Sequence, residues 1–395
     1  MDMKKFLLTA LLVPMALGCM AAVREIPVGR TVDIRGVENI KVSSSVKVHY
    51  TQGAASTVLV KENGPVSSKV RVDGNTLYIK LPALDDADKN SSRSVGSNVI
   101  ILNGKSYDVH TEVYVTLPYL RNVSNSCSLE FVADKAIDTA KGRMKLHNSG
   151  SMRADIPTIT ATAGSSVDVN NSGSFQLTVG KIAAETMSLT NSGSLQVDIK
   201  SIAADGDVTL HNSGSLRGSV KNVAANAYDF SNSGAVELSD MAVTAPTLSY
   251  SNSGSDQQGS TLHAVTNQCR VSNSGAMTHD FDVASTEGSH DAQLYFNNNG
   301  AATSNIKFHG DDATIRVDGS STVNAQVDCS TVSTNLNGVG KVTLSGRADE
   351  LTIIGNEDLV DADALTCSNT IRTAAKSSRK SQRSRVSDEP NQFNP

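Results

Sequence analysis

The sequence predicts an all-β chain wound as a parallel β-helix, and three observations lead there. Asn-Ser-Gly followed by Ser or Ala recurs seven times, with glycines 20 to 23 residues apart. On both sides of each glycine, apolar and polar residues alternate strictly, which is the period of a strand with one buried face. Finally, no stretch of ten or more residues between these glycines reads as an amphipathic helix. Strands that return to the same slot without crossover helices stack as coils.

Composition narrows the field further. Of 395 residues, 38% are hydrophobic and 4% aromatic, with no Trp. That argues against a large conventional core, and against a membrane β-barrel with aromatic girdles. A net charge of −5 gives no basic footprint for nucleic acid.

Residues 1–22 read as a signal peptide: Lys4 and Lys5 precede an apolar run from Phe6 to Leu17, and small residues follow through Ala22. The run is too short to span a bilayer as a helix, and no later segment comes close. Ala16-Leu17-Gly18-Cys19 also has the form of a lipoprotein cleavage box. Lipidation at Cys19 and plain signal-peptidase cleavage are the two alternatives.

Residues 23–120 read as N-terminal coils with longer loops. Val46-Lys47-Val48, Val70-Arg71-Val72, Leu77-Tyr78-Ile79 and Val113-Tyr114-Val115 all alternate, with turns near Ser44, Gly74 and Gly104. Residues 84–97, rich in Asp and Ser, read as a mobile excursion.

Regular repeats occupy 121–375. Around Gly193, Met187 and Leu189 face inward before the turn, and Leu195, Val197 and Ile199 after it. A third inward slot holds Ile182, Ile202, Val223, Val243 and Val265. One coil buries too little apolar surface to offset the ordering of its backbone, so coils must stack. The spacing gives about fifteen coils at ~4.8 Å each. A polar tail, 376–395, is expected to be disordered.

The turn residues are Asn148 and Gly150, Asn171 and Gly173, Asn191 and Gly193, Asn212 and Gly214, Asn232 and Gly234, Asn252 and Gly254, and Asn273 and Gly275. Counting back from each glycine places the Asn inward, where its amide would bond to the same Asn one coil on. The alternative is that Asn-Ser-Gly is only a good turn. Glycine would supply a positive φ.

Together these features resemble the auto-transporter adhesin, head GIN domain family of secreted bacterial proteins. The resemblance rests on Arg30-Thr31-Val32-Asp33-Ile34, on Val46 through Gly53, on Val113-Tyr114-Val115-Thr116-Leu117-Pro118-Tyr119-Leu120 and on the glycine turns, and spans about residues 30–365. It implies a right-handed β-helix of pectin-lyase-like shape, no catalytic residues and an adhesion role at the cell surface or in the periplasm. No cofactor is implied. The partner would be an extracellular glycan or protein.

The outward columns hold the residues on which chemistry would depend. Five residues after each glycine stand Asp155, Thr178, Asp198, Ser219 and Ser239, so no two acids are close enough to share a calcium ion. His147 and His211 read as a solvated face, and Arg217 beside Glu237 as a surface ion pair. Ser289-His290-Asp291 has triad letters, but adjacent strand residues point to opposite sides. Cys127, Cys269, Cys329 and Cys367 fall on coils too far apart for disulfides, which predicts free and mostly buried thiols. Asp138-Thr139-Ala140 is similar to a short O-glycosylation acceptor.

The coil after Gly254 breaks the pattern. Asp256 follows it closely, and Gln258 and, one coil later, His279 fall in the apolar slot four after a glycine. Either these three line a polar notch for a ligand, or a bulge turns the side chains outward. Phe230 and Tyr250 read as core, and Tyr295, beside inward Phe296, as an exposed contact. The expected function is an exported non-catalytic scaffold for adhesion or for glycan or protein binding. The alternatives are a polysaccharide-active enzyme of pectin-lyase-like fold and a purely structural envelope protein.

Overall fold

Strands that alternate on either side of an Asn-Gly corner leave the chain one way to bury all their apolar faces, which is to wind them around a common interior. A computed structural model shows this winding. It describes residues 23–374 except 64–68, 81–91, 94–98, 103–104, 109, 140–141, 162–163 and 287–288. The expected signal segment, residues 1–22 with Cys19, and the expected tail, 376–395, lie outside the described residues. The fold is a right-handed parallel β-helix of about twelve turns. The described residues hold a single short 3-10 helix, Glu357–Leu359. Two compact units divide the chain, residues 1–178 and 179–395.

In the first unit the coil count falls below the fifteen expected, because residues 23–120 are not a run of simple coils. Thr57–Asn63 runs antiparallel to His110–Leu117, and Lys69–Asp73 forms an antiparallel hairpin with Thr76–Lys80. Its turn, at Gly74, has φ +58°. Parallel stacking is threaded through these hairpins. Asn39–Val42 lies between Thr76–Lys80 and Asn122–Asn125, and Ser45–Gln52 between His110–Leu117 and Ser128–Ala133. From Asn122 onward, each strand stacks in parallel on the next, Asn122–Asn125 on Met144–Asn148 and that on Ser166–Asn171. Of the expected excursion at 84–97 only Ser92–Arg93 is described, as a strand paired with Val99–Leu102.

The second unit is the regular part. Met187, Val208, Tyr228, Leu248, Cys269 and Leu294 superpose from rung to rung and are all buried. After the corner, Leu195, Val197 and Ile199 face in, and the alternation slips by one so that Ile202 also faces in. Val265 departs from this third slot. A bulge between Gln257 and Ser260 shifts the register, Ala264 lies beside Val243, and Val265 is 37% exposed. The last strand, Val360–Ala374, places Thr370 and Arg372 beside the buried Leu351 and Ile353, a polar final rung.

Candidate functional site

Three places in the fold gather polar side chains: the Asn-Gly corners, a cluster inside the second unit, and the outer faces. At the corners the Asn side chains are buried and linked. In the first unit, Nδ2 of Asn125 donates to Oδ1 of Asn148, and Asn148 to Asn171, both at 2.8 Å. In the second, Asn191, Asn212, Asn232, Asn252, Asn273 and Asn298 form one file with links of 2.6–2.8 Å. Each Asn also donates to the backbone carbonyl two residues on, which is Cys127 for Asn125 and a glycine for the others, as Asn212 does to Gly214 at 3.1 Å. The file ends where Asn298 donates to the Ser321 hydroxyl at 3.1 Å.

Glycine at these corners is required for a reason other than the positive φ expected. Gly150, Gly173, Gly214, Gly234, Gly254 and Gly275 are absent from the positive-φ glycines, and so is Gly193. A Cβ on Gly173 would instead lie 2.0 Å from the Gly150 carbonyl oxygen. On Gly214, Gly234, Gly254 or Gly275 it would lie 2.0 Å from the carbonyl oxygen of the glycine one rung earlier. Corners stack backbone on backbone, and only a hydrogen fits between them.

The notch residues Asp256 and His279 face inward, not outward. Asp256 is 1% exposed and His279 8%. A bulge is present, with Gly259 at φ +62°, but its effect is to bring Ser260, rather than Gln258, beside His279. The Gln258 side chain lies outside the described residues. The Tyr250 hydroxyl donates to Oδ2 of Asp256, while His279 Nδ1 is 3.4 Å from the same oxygen and 3.2 Å from Ser260 Oγ. Tyr250 stacks on Phe230 at 4.6 Å and on His279 at 5.1 Å. Burial, with the Asp256 carboxylate beside it, holds the Tyr250 hydroxyl well above the usual phenol range.

The cluster encloses a cavity of about 10 Å³ lined by Phe230, Tyr250, Asp256, Ser260 and His279 among others. That is room for about one water. His279 Nε2 has no hydrogen-bond partner among the described residues. Ser260 and Asp256 both approach Nδ1, whereas a nucleophile and an orienting acid need opposite ring nitrogens. The cluster is an internal polar packing unit, with Asp256 1% and Ser260 and His279 each 8% exposed. Sequence reasoning missed Ser260 because counting from Gly254 skips the bulge. A glycine inside a strand, Gly259, was the available signal.

On the outside of the second unit, an open groove of about 670 Å³ is walled by Asp282, Lys307, His309, Gln326, Asp328 and Arg347, over buried Val283, Phe308 and Val327. His309 Nδ1 lies 3.2 Å from Asp328 Oδ2, and Arg347 Nε 3.6 Å from Asp328 Oδ1. His263 Nδ1 meets Asp282 at 3.1 Å. Nothing in the turn pattern singled this groove out, because it is built from outward positions of four successive rungs.

Tyr295 is 37% exposed, with the Arg270 guanidinium 5.5 Å from its ring centroid. The other candidates stay apart: Arg217 and Glu237 pair at 3.0 Å, and Asp198 accepts from the Ser219 hydroxyl at 2.7 Å. Ser289 Oγ accepts from the Asp291 backbone N–H at 3.2 Å. Thr139 is 1% exposed, which does not fit an O-glycosylation acceptor. Among the described residues, no group of three or more His, Cys, Asp or Glu is placed to hold a metal ion, and no helix is long and apolar enough to cross a membrane.

Compared with known proteins, residues 37–258 and 291–380 match the family described as "putative auto-transporter adhesin, head GIN domain". Among solved structures the chain is similar to a "putative adhesin" from Bacteroides fragilis, at 12% identity over 82% of this chain and 97% of that one, with a TM-score of 0.26. A "putative adhesin" from Parabacteroides distasonis matches at 14% identity over 82% and 96%, with a TM-score of 0.35. A "putative lipid binding protein" from the same species matches at 12% identity over 90% and 96%, with a TM-score of 0.19. No curated protein matches the chain.

Proposed function

We propose, on the premise that this chain belongs to the auto-transporter adhesin, head GIN domain family, that it is an exported, non-catalytic scaffold that binds an extracellular glycan or protein. The observation that carries this reading is the groove of about 670 Å³ on the second unit, open to solvent and walled by charged and amide side chains. Its ion pairs are half exposed and contribute little to stability. Their chemistry is therefore available for exchange with the polar groups of a ligand at small cost. A shallow, extended polar surface supports many weak contacts better than it supports a reaction, which needs a water-excluded pocket. Export through residues 1–22 and a location at the cell surface or in the periplasm belong to the same proposal.

Purified protein beginning at Val23 is expected to bind a subset of an array of glycans and extracellular proteins. The Lys307→Ala, Arg347→Ala double variant is expected to lose at least about tenfold in affinity, about 1.4 kcal/mol. A folded protein that binds nothing on the array would overturn adhesion.

A further inference from the structure

We propose that Arg270 and Tyr295 form a recognition plate for a carboxylated saccharide. The inference deepens the adhesion reading and rests on it. It starts from a break in an otherwise monotonous column. Outward positions Ser249, Arg270, Tyr295, Thr314 and Ser333 lie side by side on successive rungs, and only Tyr295 is aromatic. Its ring packs into no core, being 37% exposed, so the fold gains little from it.

The next rung sets a fixed cation beside it. Arg316 lies opposite Asn297, two residues beyond Tyr295, and pairs with Asp318, whose Oδ2 lies 2.7 Å from Nε. Asn337 in turn donates to Oδ1 of Asp318 at 3.0 Å. These contacts preorganise the side chains that border the ring. They also consume the Asp318 carboxylate, which is then not offered to Arg270.

Arg270 makes no ion pair with any described residue. Its guanidinium lies over the Tyr295 ring at 5.5 Å and its donors face solvent. Asp229 stands two rungs away in the same column, roughly 10 Å off by sheet spacing. Asp312 is two rungs and two residues away, about 12 Å between backbones, and Arg270 forms an ion pair with neither. A planar guanidinium fork without a partner is matched by a carboxylate. Exposed Gln268 and Gln293 flank the plate and suit hydroxyl groups. Strands Gln268–Asn273 and Gln293–Asn298 are each paired on both sides, so no backbone edge is open for an acidic peptide to extend. An acidic sugar, which needs side chains only, is the occupant that fits.

The test measures binding of the purified chain to immobilised hyaluronan oligosaccharides, to dextran and to poly-L-glutamate. Hyaluronan is expected to bind, with affinity falling as salt rises. Arg270→Gln and Tyr295→Ala should each weaken it at least about tenfold, while Thr352→Ala, in the same column but four rungs from Arg270, should not change it. Circular dichroism confirms that each variant is folded. Preference for poly-L-glutamate, or hyaluronan binding that survives both substitutions, overturns the plate. Binding to neutral glycans alone with Arg270→Gln silent also overturns it and leaves adhesion standing. No binding to any glycan or protein overturns both.

Discussion

Glycine has two separate reasons to be irreplaceable in this chain, and they predict different costs. Gly259 sits at φ +62° with nothing within 4 Å of the place a methyl group would take, so only backbone strain opposes a side chain there. Gly234 has an ordinary φ, but its Cβ would meet the Gly214 carbonyl at 2.0 Å. Gly259→Ala should cost about 1–2 kcal/mol, and Gly234→Ala more than about 3 kcal/mol because two rungs must separate. Urea midpoints of the two variants check this, and equal losses would refute the distinction. At this scale the sequence was legible where the same side chain recurs: Asn at successive corners from Asn148 to Asn298 announces a shared task. It was not legible where the cause is a contact between residues 20 apart, because φ belongs to one residue and the corner clash to two. The buried quartet of Tyr250, Asp256, Ser260 and His279 was half visible, through Asp256 in the coil that breaks the pattern and His279 in an apolar slot. Its other two members came from a bulge and from a ring expected to be plain core.

For a strand, what matters is which side of the sheet each residue takes. Leu195 is 1% exposed and Gln196 points to solvent. Leu195→Asp should therefore cost about 4 kcal/mol or more by burying a charge, and Gln196→Asp less than about 0.5 kcal/mol. Thermal or urea unfolding decides it, with equal tolerance at both positions refuting the register. Period-two alternation made such strands readable, but it says nothing of direction. Parallel coils and antiparallel hairpins share that period. The hairpin of Lys69–Asp73 with Thr76–Lys80 therefore passed for coil, and the turn count came out too high. The bulge misled in the same way, since a count from Gly254 assumes an unbroken ladder as far as Val265.

At the scale of the molecule, the described residues are held by stacking without covalent ties. Cys127, Cys269, Cys329 and Cys367 are all free. Burial pushes the thiols of Cys269 and Cys329 up to about 12, so at pH 8 almost none of either is thiolate. Cys127 and Cys367 are half-buried. A chain beginning at Val23 should titrate two thiols with Ellman's reagent when native and all four in denaturant, and a reducing agent should leave its melting temperature unchanged. Rapid reaction of all four in the native state would contradict this burial. The glycine-on-glycine corners also bear on how such a chain can change over generations. Excising residues 213–232 would join Asn212 to Ser233 and set Gly234 directly above Gly193, restoring the contact the lost rung had made. Duplication or loss is tolerated in whole steps of this kind, whereas a cut of any other size across a corner puts a side chain where only hydrogen fits. Heritable length is thus quantised, and recombination can shorten or extend the second unit without inventing any new packing.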